Sequence, residues 1–378
     1  MTDFRAYAAL RNGVRRRTVL KGLGAAATAP LLSAAPGARA QDNTLNLLCW
    51  PGHNDPAVVG PFEEQYGVQV VAREYVGGDN MMALVTQSPP GTYDVILADA
   101  EYVVQLRDAG FIDPLDPADY PFDDFFPEFH KFPGHWLDDT LYSVMIRFGF
   151  LGVSYRTDVF TREEVDTYQA LWDPKVTGRV GYFDWYLPSM GCLSLAGGNA
   201  TPYDIDAAGF QRLKDTMDSV KPQTGGFFSM ANTFASLTSG DAAIIPGVGD
   251  WITLLLSADG VPVDSWVPQE GGVQWTESMS IATGSPRPEL ARSFIQYMTS
   301  PEGQSRSARM PAYNASIPSR AGWVRLNEDD PQAAALLRHT FTDRNVMDEF
   351  ADGKIHIRQT PLQQDVEDWT DVWADFKT

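Results

Sequence analysis

The chain has 378 residues, a net charge of −20 at pH 7 and a hydrophobic content of 44%. The hydrophobic content is ordinary for a globular protein. The strong acidity disfavours nucleic acid and anionic lipid as partners and favours cations. Acidity also keeps an exported protein soluble, so the charge supports a cationic ligand without establishing one. No nucleic-acid partner is expected.

The first 40 residues have the layout of a cleavable secretory signal. A basic segment (15–21, RRRTVLK) precedes a run of small and apolar residues at 22–35 and a small-x-small site at 38–40. The basic segment resembles a twin-arginine signal, with Val19 where Phe is usual. The apolar run is shorter than the roughly 20 residues that span a bilayer. We expect cleavage after about Ala40 and release into the periplasm, through the twin-arginine (Tat) machinery or the general secretion route.

Strand and helix patterns alternate along the first part of the mature chain. Asp55-Pro56 offers an N-cap and a first-turn proline, and Gly67 offers a left-handed stop. The predicted elements are a strand at 44–49, a helix at 56–66, a strand at 68–76, a helix at 80–87, a strand at 93–97 and a helix at 101–109. This alternation requires parallel strands with helical crossovers.

A second α/β pattern follows. Its predicted elements are strands at 148–155 and 179–183, helices at 207–220 and 230–239, a strand at 242–246, a helix at 250–258, strands at 261–266 and 273–283, and helices at 287–298 and 363–377. The mature chain exceeds the usual size of one core. We therefore predict two α/β lobes joined by crossing strands. Lobe 1 comprises 41–148 and about 279–325, lobe 2 comprises 149–278, and 326–378 is a C-terminal helical segment.

The sequence contains no catalytic fingerprint. Nucleophile-elbow, zinc-protease, Walker and dinucleotide motifs are absent. Cys49 and Cys192 lack metal-ligand spacing and the five histidines are scattered, so neither a metal nor another cofactor is expected. Whether these cysteines pair is left open. An enzyme is not expected, and an exported hydrolase that uses paired carboxylates is the remote alternative.

Aromatic and acidic residues cluster just beyond the carboxyl ends of predicted strands, where open α/β sheets bind ligands. Rings attract ammonium groups and carboxylates accept their hydrogen bonds. Asp99 could instead cap a helix, while Trp50 and Trp251 could belong to the core. Glu277 lies in an otherwise apolar strand and needs a partner. The candidate ligand-binding residues are Trp50, His53, Asp99, Glu101, Asp184, Trp185, Trp251, Trp275 and Glu277.

Three segments resemble those of the periplasmic spermidine/putrescine-binding proteins of ABC importers. They are YDVILADAEYV at 93–103, LWDPKVTGRV at 171–180 and WVPQEGGVQWTES at 266–278. The resemblance covers essentially the whole mature chain, and the third segment is the most specific. It implies a two-lobed periplasmic-binding-protein fold of type II. Each lobe is then a mixed sheet flanked by helices, with the ligand in the cleft between the lobes.

The resemblance also implies a function. The protein would be a monomer that delivers a small cationic amine or polyamine, such as putrescine or spermidine, to an inner-membrane permease. Alternatives within the fold are another amine, an amino-acid-like compound or a metal complex. A zwitterion would need an arginine or exposed backbone amides for its carboxylate, and Arg147 and Arg179 are candidates.

By position, the resemblance assigns ligand contacts to Trp50, Trp275 and Glu277, and an acid of the second lobe to Asp184. The chain departs from the family at the positions where the family has Ser and Tyr after the third strand, an aromatic after the first strand, and a tryptophan in the second lobe. These positions are Asp99, Glu101, His53 and Pro246. The departures keep the cation-binding character of the cleft but remove part of its aromatic clamp.

Overall fold

The computed structural model describes residues 43–342 and 344–378. The predicted secretory signal lies outside these residues. The strands are β1 (Thr44–Cys49), β2 (Gln69–Glu74), β3 (Val95–Ala98), β4 (Trp136–Leu137), β5 (Thr140–Leu141), β6 (Val144–Arg156), β7 (Val180–Phe183), β8 (Thr224–Phe228), β9 (Ile244–Gly249), β10 (Val263–Trp266), β11 (Gly272–Ile281) and β12 (Ile355–Ile357).

The helices cover the faces of the sheet. They are α1 (Pro56–Tyr66), α2 (Gly78–Gln87), α3 (Ala100–Asp108), α4 (Tyr186–Ala196), α5 (Ala207–Val220), α6 (Met230–Ser239), α7 (Asp250–Ala258), α8 (Pro288–Thr299), α9 (Pro301–Ala308), α10 (Arg320–Asp329), α11 (Pro331–Leu336), α12 (Asp348–Ala351) and α13 (Val366–Phe376). Asp55 caps α1 and Gly67 ends it in the left-handed conformation, as the sequence predicts.

The main sheet has the strand order β2-β1-β3-β11-β6-β9-β7-β8. The three strands at one end and the three at the other pair in parallel, while β11 and β6 run antiparallel to their neighbours. The sheet therefore consists of two parallel α/β halves joined by a central antiparallel pair. This is the mixed, two-lobed architecture that the sequence predicts.

The central strands extend through both halves. The first part of β6 pairs with β11, and its last part pairs with β9 and β10. β11 pairs with β6 and then, through residues 278–281, with β3. A β-bulge lies between Glu277 and Ser278. Bulges redirect side chains and bend strands, and this one lies where β11 passes from one half to the other.

Several elements were not predicted from sequence, and three of them bear on the site or on the packing around it. These three are α4, β8 and β12. Helix α4 is buried along nearly its whole length, so it has no polar face to produce a helical period. Strand β12 pairs in parallel with the start of β11, and α13 packs against α4 and α5. The C-terminal segment is thus not wholly helical and contacts both the central pair and the second half.

The core is continuous across the molecule. It includes Trp369 and Trp373 of α13, which the sequence predicts as packing anchors. Cys49 and Cys192 are both free and buried. Within the described residues, no helix is long and apolar enough to cross a membrane.

Candidate functional site

A small cavity lies where the two halves of the sheet meet. Its volume is about 50 Å³. Six of the nine predicted ligand-binding residues line it, and they come from both halves. The lining residues are Trp50, Asp99, Leu151, Phe183, Trp185, Pro188, Met230, Gly247, Trp251, Trp275, Glu277, Tyr313 and Arg358. The carboxyl ends of β1 and β3 thus face those of β7 and β9 across β6 and β11.

On one wall, Arg358 links the cavity to two acids. Its Nη2 donates to Asp99 Oδ1 at 2.5 Å, and its Nε donates to Glu101 Oε1 at 2.6 Å. Asp99 Oδ2 also accepts a hydrogen bond from Trp50 Nε1 at 3.1 Å. The guanidinium carbon lies 4.6 Å from the centre of the Trp185 ring. Glu101 therefore lies behind Arg358 and supports the wall without lining the cavity.

On the opposite wall, Glu277 forms a second buried network. Arg147 Nε and Nη2 lie 2.8 and 2.7 Å from Glu277 Oε2, and His53 Nε2 lies 3.0 Å from the same oxygen. Tyr313 donates its hydroxyl to Oε1 at 2.5 Å. Both Glu277 oxygens are thus bonded within the protein. Arg147 and His53 lie beneath the cavity, fully buried.

The two networks change the pKa of their acids in opposite directions. Burial alone would raise the pKa of Glu277, but Arg147, His53 and Tyr313 outweigh it and lower the pKa to about 2. Burial raises the pKa of Asp99, and the nearby Glu101 and Glu277 add to this, although Arg358 opposes it. Burial also lowers the pKa of His53. At neutral pH, Glu277 is therefore ionised and His53 is neutral, and Asp99 takes up a proton more readily than Glu277 does.

The charges at the site nearly balance. With all groups ionised, three carboxylates face two guanidinium groups, so the excess is a single negative charge. The remaining lining is mostly aromatic, with Trp251 and Trp275 each packed edge-on toward Tyr313. This arrangement can enclose a small polar solute between rings and charged groups. Among the described residues, no cluster of His, Cys, Asp and Glu could hold a metal ion.

Besides His53 and Glu101, which lie behind the lining of the cavity, three positions differ from the sequence-based expectation. Asp184 does not line the cavity, because its carboxylate accepts bonds from Trp373 Nε1 and Lys377 Nζ on the opposite side. Arg147 is already paired with Glu277, and Arg179 bonds to the Gly240 carbonyl outside the cavity. Neither arginine is therefore placed to receive a ligand carboxylate.

Asp184 shows why the expectation failed. Phe183 and Trp185 line the cavity, and Asp184 lies between them. Successive side chains of an extended segment point to opposite faces, so Asp184 points away when its neighbours point inward. His53 is displaced for a different reason, because the turn after β1 carries it beneath the cavity against Glu277.

Sequence reasoning missed Arg358 and Tyr313. Tyr313 follows α9 in a loop with no periodic pattern, and nothing in the sequence indicated its place. Arg358 follows the alternation Ile355-His356-Ile357, which is a weak strand signal. Because β12 pairs with β11, the backbone N–H of Arg358 reaches the Gln274 carbonyl at 3.0 Å and its side chain enters the cavity.

Two α/β halves, joined by crossing strands around a cavity that both halves line, define a solute-binding protein. The chain belongs to the bacterial extracellular solute-binding protein family, whose family model matches residues 57–339.

Similarity to individual proteins agrees with this assignment. The chain is 24% identical over 277 residues to the spermidine/putrescine-binding periplasmic protein of Escherichia coli (strain K12), covering 72% of this chain and 77% of that protein. It is 25% identical over 325 residues to the putrescine/cadaverine-binding protein of Pseudomonas aeruginosa, covering 82% and 88%. A solved structure described as a putative spermidine/putrescine ABC transporter from Listeria monocytogenes superposes with a TM-score of 0.74 at 20% identity, covering 89% and 99%.

Proposed function

We propose that this protein is the periplasmic substrate-binding component of an ABC importer and that its solute carries a cationic amine. One observation carries the proposal: four tryptophans and Tyr313 surround a cavity that also contains the carboxylates of Asp99 and Glu277. Aromatic faces attract ammonium groups, and carboxylates accept their hydrogen bonds. The names of the relatives, which refer to spermidine, putrescine and cadaverine, support an amine.

The available interactions are sufficient for useful affinity. Two cation–π contacts at about 1–2 kcal/mol each and one charge-assisted hydrogen bond at about 1.5–3 kcal/mol give roughly 4–7 kcal/mol. Apolar contact adds to this sum and ordering of the solute subtracts from it. Micromolar affinity corresponds to about −8 kcal/mol, so it is within reach.

A solute that contacts both halves stabilises their closed arrangement, which a permease can distinguish from an open one. The proposal includes export through the twin-arginine machinery, signal cleavage after about Ala40 and a monomeric mature protein. N-terminal sequencing of the exported protein and light scattering in solution test these statements. Neither cleavage elsewhere nor a stable dimer is compatible with them.

Calorimetry with putrescine, cadaverine, spermidine and γ-aminobutyrate tests the binding itself. We expect heat and a thermal shift with at least one of these amines. Trp275→Leu removes a ring of the cavity and should weaken binding about tenfold or more, since one cation–π contact is worth about 1–2 kcal/mol. Trp266→Leu is the matched control, because this half-buried tryptophan lies outside the cavity. No heat and no shift with any of the four amines would refute the proposal.

A further inference from the structure

Arg358 is held rigidly inside the cavity. Only 4% of the residue is exposed, its backbone is fixed by pairing of β12 with β11, and its side chain is bonded to Asp99 and Glu101. The guanidinium also lies over the Trp185 ring. An aromatic ring and two carboxylates are groups that would bind a cationic ligand. At this wall, the protein's own arginine already occupies them.

The bonds that hold Arg358 use only part of its capacity. A guanidinium has five N–H donors. Nε and Nη2 bond to the two acids, whereas Nη1 has no hydrogen-bond or ion-pair partner among the described residues. Arg358 also lines the cavity. The N–H groups of Nη1 are therefore available to a solute group inside the cavity.

The acids of the cavity are less available than their number indicates. Glu277 accepts bonds on both oxygens from Arg147, His53 and Tyr313. Asp99 accepts bonds on both oxygens from Trp50 and Arg358. A second ammonium group placed at this wall would meet the fixed guanidinium of Arg358, and like charges at short range repel. A diamine is therefore disfavoured at one of its two ends.

We propose that Arg358 binds a carboxylate of the solute through Nη1, so that the solute is a short amino acid with separated charges. Its ammonium group lies among the rings of Trp251, Trp275 and Tyr313, on the side of Glu277. Arginine suits this role because two of its nitrogens can bond to the acids while the third still offers N–H donors to the solute. This inference rests on the proposed function and specifies the class of solute.

The size of the cavity agrees with a short solute. Its volume of about 50 Å³ accommodates roughly four water-sized groups. A compact amino acid or a short diamine fits such a space with less rearrangement than a long polyamine. The nearly balanced charge of the two networks also suits a zwitterion better than a dication.

Calorimetry of the unmodified protein with γ-aminobutyrate and putrescine tests the inference. The two compounds have similar length and share one ammonium end, but the other end is a carboxylate in the first and an amine in the second. We expect γ-aminobutyrate, or its homologue δ-aminovalerate, to bind at least tenfold more tightly than putrescine. Tighter binding of putrescine would overturn this inference and leave the proposed function standing. Binding of none of these compounds, nor of cadaverine or spermidine, would refute both.

A paired variant tests the role of Arg358. Arg358→Gln alone would leave two buried acids without their cation, so we combine it with Glu101→Gln. The two substitutions together remove one charge of each sign. The double variant should lose at least tenfold in affinity for the preferred amino acid and should bind putrescine no more weakly than the unmodified protein does. Equal losses for both compounds would show that Arg358 only supports the fold, and would overturn the inference.

A conservative variant and a control complete the design. Arg358→Lys keeps the charge but lacks the third nitrogen that reaches the solute, so it should retain the fold and still weaken amino-acid binding about tenfold. Unchanged affinity in this variant would overturn the proposed contact through Nη1. Arg162→Gln is the matched control, because Arg162 also lies over a tryptophan, Trp266, but outside the cavity. It should leave both affinities unchanged, and a loss matching that of the Arg358 variants would overturn the inference.

Discussion

Replacement of Glu277 by Gln tests whether the buried network with Arg147 holds the site together. The pKa of Glu277 falls from an ordinary value of 4.5 to about 2 in the folded protein. One pKa unit corresponds to about 1.4 kcal/mol, so the ionised form of Glu277 contributes about 3 kcal/mol of stability at neutral pH. Both Glu277 and Arg147 are buried, and solvent screening therefore does not reduce this value. The variant should lose a similar amount, because it leaves the Arg147 charge unpaired.

The pH dependence of the unfolding free energy tests this prediction most directly. An acid whose pKa is lower in the folded than in the unfolded protein contributes its full stabilisation of the folded state above the unfolded pKa. This contribution is lost as the pH falls through the folded pKa. The contribution should be nearly complete above about pH 5, fall to roughly 1.4 kcal/mol at pH 3 and vanish below about pH 2. Urea unfolding of both proteins should show their difference in unfolding free energy shrinking by about 2 kcal/mol between pH 7 and pH 3.

Comparison of the two proteins matters because many other carboxylates protonate over the same range. Carboxylates distant from Glu277 affect both proteins alike and cancel in the difference. A difference that stays constant from pH 7 to pH 3 would refute the reasoning, since it would mean that the charge of Glu277 does not contribute to stability.

Two further predictions concern positions around the site. Gly149→Ala would place a Cβ 2.6 Å from Trp275 Nε1, so the ring must shift. We expect at least tenfold weaker solute binding by calorimetry, whereas Gly60→Ala, whose Cβ meets nothing within 4 Å apart from its chain neighbours, should leave binding unchanged. Asp184→Asn should leave the affinity unchanged and alter stability by less than about 1 kcal/mol in thermal unfolding, because its ion pair is partly exposed to solvent. A large loss of affinity on Asp184→Asn would place this acid in the site after all.

Local patterns in the sequence predicted much of the architecture and part of the site. Helices α5, α6 and α7 have the predicted bounds, because their periodicity and their flanking residues are contained within a short window. Trp50 and Asp99 follow strands that are recognisable one at a time, and parallel strands bring their carboxyl ends to one edge. These features needed no knowledge of distant contacts.

The partners of the acids could not be predicted in the same way. Arg147 and Glu277 are 130 positions apart, and Arg358 and Asp99 are 259 apart. Their pairing depends on the β6–β11 register and on β12, a strand of three residues. Side chains that meet only through such pairing leave no periodic trace along the chain. A count of carboxylates therefore overstated the negative charge that a solute would encounter.

The chemistry of the site depends on this difference between the number of acids and their availability. An acidic composition, taken alone, favours a dication. Arg147 neutralises Glu277, and Arg358 bonds to both Asp99 and Glu101. The site is then left with one excess negative charge and with an arginine that has unused N–H donors at the cavity. A solute with one ammonium group and one carboxylate can pair with both the excess negative charge and Arg358. A diamine can pair only with the negative charge. The C-terminal segment that delivers Arg358 is thus the part of the chain on which selectivity between amines should depend.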